Sequence, residues 1–242
     1  MTLPIDVDDK KTWPSQIVDI VEKWADQLRG TTKYTSDLAL PLEYEDEFRE
    51  LLSGRLLRAY HCTRFLPHEL QMVKEAGLRA LTADLVFDRI KSAQDEGVIG
   101  TVDSKELHTS HAFAMGDQQY RENQVCFILS KNMFLYNIHG CEPLLKAWGG
   151  EGIYRYSRKP SILMHLNELS KPTVVVAHIN LSGKYSPHRV YPALHKVFVG
   201  ADLSFSDLGA DVFYKVPVPP EYIERILQSG MPEYDLLGDL PK

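Results

Sequence analysis

Cysteine is scarce in this chain: 242 residues carry Cys62, Cys126 and Cys141 only. They are odd in number, scattered and without CxxC spacing, so neither a disulfide framework nor a zinc site is indicated. His108 and His111, three apart with no carboxylate or thiol pattern beside them, make a poor metal motif, and no metal is expected. Long apolar runs are missing too. None approaches the roughly 18 residues that a membrane span needs, and Met1 to Thr12 has no apolar core of signal-peptide length. A reduced, cytoplasmic setting without a membrane partner is expected. Basic residues are in deficit: Lys and Arg number 27 against 33 Asp and Glu, a net charge of −6. That argues against global electrostatic capture of nucleic acid and leaves room only for a local basic groove. No GxGxxG or GxxxxGK[ST] string occurs, which disfavours conventional nucleotide-binding enzymes. There are no repeats and no low-complexity linker.

What is present is enough apolar material, 44% of residues, for a packed core, and one dense polar stretch from Leu57 to Leu78. Leu57 to Thr63 suits a strand; Pro67 opens a helix and Gly77 closes it. The period of two puts His61 and Thr63 on one face of that strand and Cys62 on the other, so His61 is badly placed to activate Cys62 as a nucleophile. Before this stretch, Ile17, Ile20, Val21, Trp24 and Leu28 lie at helical spacing over Gln16 to Arg29. Thr31 to Pro41 reads as a loop and Glu43 to Leu52 as a helix.

After it, Thr82 to Glu96 reads as a helix. Gly97 to Asn123, polar and weakly periodic, reads as a functional or mobile loop. Gln124 to Ser130 reads as a strand, and Cys141 to Trp148 as a short helix ended by Gly149-Gly150. Glycines flank Glu151, which permits close approach of backbone to a ligand, and Tyr154 could stack on a flat ring or serve a half-buried strand. Arg155, Arg158 and Lys159 form a small basic cluster. Thr173 to Ile179 is a buried strand and Tyr185 to Phe198 a loop. Ala210 to Ile226 reads as a strand, a proline turn and a closing helix. Taken alone, His61 also fits a core histidine and Asp211 a strand cap.

His61-Cys62-Thr63 followed by Gly77-Leu78 resembles the ADP-ribosyltransferase superfamily, whose first strand carries His-x-Thr/Ser before a helix ending in Gly-Leu. The resemblance implies that His61 and Thr63 fix an NAD ribose, that the Cys62 backbone holds the nicotinamide carboxamide, and that Arg64 or Lys131 meets the pyrophosphate or the acceptor. Val125 to Tyr136 looks like the DarT-type DNA ADP-ribosyltransferases, with Lys131 where that group has a catalytic arginine. Glu151 to Tyr156 is similar to the Gly-x-Gly-Ile-Tyr stretch of the poly-ADP-ribose-polymerase branch, in which the tyrosine, here Tyr154, stacks on nicotinamide. Asp211 stands where the family has a catalytic glutamate, with Glu151 as the other candidate, and Pro219-Pro220 leads towards a last helix.

The resemblance covers Arg55 to Ser229 in patches. It implies an α+β fold with a split antiparallel β-sheet and surrounding helices over 55–242, preceded by an N-terminal helical cap over 1–54. The activity implied is NAD-dependent ADP-ribosyl transfer, NAD being a co-substrate, to a nucleic-acid base or a protein. A toxin or defence role, with an antitoxin or regulatory partner, would fit such an enzyme. Two alternatives stay open. One is a catalytically silent NAD- or ADP-ribose-binding sensor; the other is an RNA 2′-phosphotransferase-like enzyme using Arg64, Arg155 and Arg158.

Overall fold

The computed structural model describes residues 3–29, 42–117, 121–136, 141–181, 194, 198 and 210–242. Two helices come first, α1 (Ser15–Arg29) and α2 (Leu42–Leu52). The central strand β1 (Leu56–Phe65) follows, then α3 (Pro67–Ala76), α4 (Ala83–Asp95) and α5 (Thr101–Thr109). After the short strand β2 (Val125–Phe127) come α6 (Asn132–Tyr136), α7 (Glu142–Lys146), the single turn α8 (Glu151–Tyr154) and α9 (Pro160–Leu169). The strands β3 (Lys171–Asn180), β4 (Val212–Tyr214) and β5 (Ile223–Gln228) complete the framework.

The class is α+β, with two small antiparallel sheets. One has the order β1-β3-β5, the other pairs β2 with β4. The middle strand β3 reads Val174-Val-Val-Ala177, a continuous apolar run that suits a strand buried on both faces. Its register against β1 sets His61 opposite Val175 and Thr63 opposite Thr173. Mutual hydrogen bonds between the backbones of Tyr60 and Ile128, 2.8 and 3.0 Å, tie the two sheets together. The cleft between β1 and β2 opens beyond this tie.

Alternation along β1 decides the cores. Leu57 and Ala59 join Val175, Ala177, Val125, Phe127 and Val212 on one side. Tyr60 and Cys62 join Val174, Val176, Phe134, Leu145 and Tyr234 on the other. Leu66, Ile90, Leu107, Trp148 and Ile153 make a third cluster under α4. Ile17, Val21 and Leu52 from the 1–54 segment lie in the first of these cores, and Ile5 adds a short parallel bridge to Leu57. These residues of the N-terminal segment and the sheet therefore share one core.

Several elements differ from the sequence reading. Gly97 to Asn123 contains α5; only Ser104 and Leu107 of that helix are buried, so its apolar stripe is too thin to register as periodic. The strand expected over Gln124 to Ser130 is confined to Val125–Phe127, and the segment after Lys131 is helical. Glu151 to Tyr154 is a helical turn. Most important, the closing helix after Pro219-Pro220 is a 3-10 turn, Pro220–Tyr222, followed by β5. Ile223 and Ile226 are β-branched, and the free edge of β3 needs hydrogen-bond partners, so tertiary pairing overrides the helical pattern. The loops expected over Thr31 to Pro41 and Tyr185 to Phe198 lie outside the described residues, apart from the buried Leu194 and Phe198. Among the described residues no helix is long and apolar enough to cross a membrane.

Gly77 fixes how α3 leaves the sheet. Its φ is +81°, and a Cβ there would meet the Val218 carbonyl oxygen at 2.0 Å. Only glycine lets Leu78 pair with Val218 at this point.

An ionic cluster locks the N-terminal segment to the sheet. Arg58 donates to both Glu224 oxygens at 2.7 and 2.8 Å and to Asp6 at 2.7 Å, while His178 Nε2 lies 2.9 Å from Glu224. Burial works to raise the Glu224 carboxyl, yet its bonds with Arg58 and His178 prevail and hold it below the ordinary carboxylate range. A depressed folded-state value means stability that is present above the unfolded value and lost as pH falls through the folded one. Glu224→Gln is expected to cost about 1–3 kcal/mol at pH 7, with the gap to wild type closing as pH drops below about 4.3. Urea denaturation of both proteins between pH 7 and pH 3 measures this. A gap that is constant with pH would show that the Glu224 charge contributes nothing.

Candidate functional site

Where β1 and β2 diverge, a cavity of about 290 Å³ is lined by His61, Cys62 and Thr63 of β1, one face of α4, the start of β2, Gly149 to Gly152, and Asp211 with Phe213. Each polar side chain reaches it for a local reason. His61 Nδ1 lies 2.9 Å from the Cys126 carbonyl oxygen. A carbonyl only accepts, so Nδ1 holds the proton and Nε2 is left as an acceptor. Burial pushes the imidazole below its usual value, and the Arg89 charge adds to this, which keeps the ring neutral near pH 7. The β2 carbonyl therefore chooses the tautomer of the β1 histidine. Thr63, two residues on, is buried on the same face.

Cys62 points into the second core, where the Cys141 thiol beside it and burial push its thiol well above the usual value. Neither that protonated thiol nor the commitment of His61 to Cys126 suits nucleophilic catalysis.

Glu151 is delivered by an unusual turn. Gly149 and Gly150 both have positive φ, +85° and +57°, and a Cβ on Gly149 would strike the Ile153 side chain at 2.6 Å. The carboxylate that follows is held by Arg155 at 2.7 Å and faces Arg121 at 3.6 Å. Asp211 precedes β4 and is exposed, and its neighbour Ala210 has φ +49°. Both acids approach Cys126. Burial pushes that thiol up to about 11, and the Glu151 and Asp211 charges act in the same upward direction, with Arg121 opposing. His61, Glu151 and Asp211, from three distant segments, thus converge around one residue.

The cavity also holds groups that sequence reasoning did not single out. Glu69 is buried and accepts from Leu66 N at 2.8 Å, from Trp148 Nε1 at 2.9 Å and from Arg89 at 2.5 Å. Arg89 in turn lies 4.9 Å from the Trp148 ring centroid. The hint was a glutamate at the third position of a Pro-initiated helix, which can reach back to the helix start. Arg121 stacks 4.4 Å over Phe213. It comes from the polar stretch read as a functional loop, with nothing in its neighbours to mark it. Gln124, immediately before β2, also belongs to the cavity lining.

Three expected site residues lie elsewhere. Arg64 is buried away from the cavity lining and donates to Ser170 Oγ and to the carbonyls of Leu145, Asn167 and Ser170 at 2.6 to 3.0 Å. It points to the opposite side of the strand from Thr63, as the period of two requires. Lys131 is outside the lining because the chain turns there into α6, with its backbone N–H held by Asp8 Oδ2 at 2.7 Å. Tyr154 is outside as well: the helical turn carries it away from Glu151, and its ring sits beside Arg155 at 5.8 Å. Arg155 and Arg158 do not line the cavity either. Among the described residues no group of three or more His, Cys, Asp or Glu is placed to hold a metal ion. Comparison of the chain with family models, curated proteins and solved structures gave no match.

Proposed function

We propose that the protein is an NAD-dependent ADP-ribosyltransferase, built on an ADP-ribosyltransferase-like split sheet and working in the cytoplasm. The observation that carries this reading is the convergence of a neutral, tautomer-fixed His61 with the carboxylates of Glu151 and Asp211 on one largely apolar cavity. Cleavage of the bond between nicotinamide and ribose passes through an oxocarbenium-like state, in which positive charge grows on the ribose carbon. A carboxylate beside that carbon stabilises the charge and takes the proton of the incoming nucleophile.

Glu151 is assigned that part, because a dedicated turn presents it and two guanidiniums orient it. Asp211 supplies a second negative charge. His61 Nε2 accepts from a ribose hydroxyl, Thr63 flanks it, and the Cys62 backbone lies within reach of the carboxamide. Arg89 and Arg121 take the pyrophosphate role first given to Arg64 and Lys131. The cavity sits near the small end of the ~300–1,000 Å³ typical of ligand sites, which suits the reacting half of NAD with the remainder at its mouth. The acceptor is a nucleic-acid base or a protein, and a toxin or defence enzyme held by an antitoxin or regulatory partner fits this chemistry.

One observation favours a second reading, a silent NAD- or ADP-ribose-binding sensor: Arg121 and Arg155 offset part of the Glu151 charge. The RNA 2′-phosphotransferase-like reading loses support, since its three arginines lie off the cavity. Incubation with NAD, with and without single-stranded DNA, RNA or cell extract, followed by nicotinamide assay, separates these. Release that depends on one acceptor supports transfer; binding without release supports the sensor. His61→Ala is expected to weaken NAD binding about 10- to 100-fold by calorimetry, with the fold retained. Unchanged affinity would remove NAD from this cavity.

A further inference from the structure

Glu69 makes more bonds than the start of its helix requires. The Leu66 N–H needs one carboxylate oxygen, Oε2, which accepts from it at 2.8 Å and from Trp148 Nε1 at 2.9 Å. The other oxygen, Oε1, accepts from Arg89 Nε at 2.5 Å, twenty residues along the chain. Arg89 is thereby held by three neighbours: Nε donates to Glu69, Nη2 donates to the Arg64 carbonyl at 3.2 Å, and Cζ lies 4.9 Å from the Trp148 ring centroid. Glu69 and Trp148 are buried, so this frame is rigid. Arg89 Nη1 has no partner among the described residues, and it is not one of the two buried, unpaired side-chain atoms, so it is open to solvent. On α4 the lining residues Leu85, Arg89 and Ser92 recur at helical spacing, and none of the residues between them lines the cavity. That face of the helix is therefore the one turned to the cavity.

Resting on the NAD reading above, we infer that Glu69 is a positioning residue for the pyrophosphate of the dinucleotide: it turns the Arg89 guanidinium so that Nη1 meets a phosphate oxygen, and does not touch the ligand itself. A guanidinium fixed before binding has little rotamer freedom left to lose when the ligand arrives, which strengthens its charge-assisted bond to phosphate. The charge of Glu69 acts the other way, since a carboxylate repels an anion. Positioning and charge therefore predict opposite signs when that charge is removed. Glutamine at 69 can keep its carbonyl oxygen on Leu66 N and Trp148 Nε1, and its amide N–H₂ then faces the Arg89 Nε–H, donor against donor. Glu69→Gln thus retains the helix start and releases the arginine.

The test is a double-mutant cycle for NAD binding, read by calorimetry on the full chain with Glu69→Gln, Arg89→Lys and the pair. Glu69→Gln is expected to weaken NAD binding about tenfold in the wild-type background. In the Arg89→Lys background, where no Nη1 remains to be aimed, the same change is expected to cause no loss. An equal loss in both backgrounds assigns Glu69 to the fold and overturns the inference, as does unchanged or tighter binding by Glu69→Gln. If Glu69→Gln melts too low to assay, Glu69→Asp takes its place: it keeps the charge at the helix start, stops a methylene short of Arg89 and is held to the same outcomes. Loss of the fold in both variants assigns the carboxylate to stability and also overturns the inference. Each of these results leaves NAD binding by the wild type in place. Failure of wild type to bind NAD at all overturns the inference together with the reading it rests on.

Discussion

Glu151→Gln is expected to lower the rate of nicotinamide release by about 10³-fold while NAD affinity changes little. Glutamine keeps the shape and the bond from Arg155 but removes the negative charge that meets the developing oxocarbenium, so the loss falls on the transition state and leaves the ground state nearly intact. The charge is secured in the native protein by Arg155 at 2.7 Å and Arg121 at 3.6 Å. Asp211→Asn is expected to cost only about tenfold, since Asp211 is exposed and its charge is screened by solvent. Single-turnover release with acceptor in excess reads both. A large loss in Asp211→Asn with little in Glu151→Gln would exchange the two roles, and full activity in both would refute carboxylate stabilisation at this site.

The second large effect is structural. Arg64→Met is expected to destabilise the fold by about 3–5 kcal/mol, because it orphans acceptors that a single guanidinium satisfies. The four bonds run to Ser170 Oγ, Leu145 O, Asn167 O and Ser170 O, tying β1 to the ends of α7 and α9. Burial pushes the guanidinium below its usual value, partly offset by Tyr234, but it stays charged at any working pH. Arg64→Lys should recover little, since an ammonium lacks the fork that reaches several carbonyls at once. Urea denaturation gives the stability, and NAD affinity of the folded fraction shows whether the residue also touches ligand. A loss below about 1 kcal/mol with weakened NAD binding would return Arg64 to the site first expected for it.

These two residues illustrate how far local pattern carries. At His61 and Thr63 alternation alone selected the face, and the cavity is on that face. The same alternation turns Arg64 away from them, so the pyrophosphate role that the resemblance implies for Arg64 is not met on the cavity face. The resemblance implies site roles for Lys131 and Tyr154, and a helical turn at each position carries the side chain off the cavity lining. Flanking glycines mark Glu151 in the sequence, and the positive φ values of Gly149 and Gly150, the two residues before it, form the turn that presents it to the cavity.

Sequence by itself determined the period-two face of β1, the Pro67 and Gly77 ends of α3, the buried run of β3 and the amphipathic α1. These depend on spacing and backbone chemistry within a few residues. Tertiary structure alone decided that Ile223–Gln228 is a strand, that Cys126 sets the His61 tautomer, and that Arg89, Arg121 and Gln124 line the same cavity as Glu151 and Asp211. Each of those depends on which distant backbone groups and charges become neighbours. Such neighbours are chosen by the burial and hydrogen-bond satisfaction of the whole chain, and no local window holds that information.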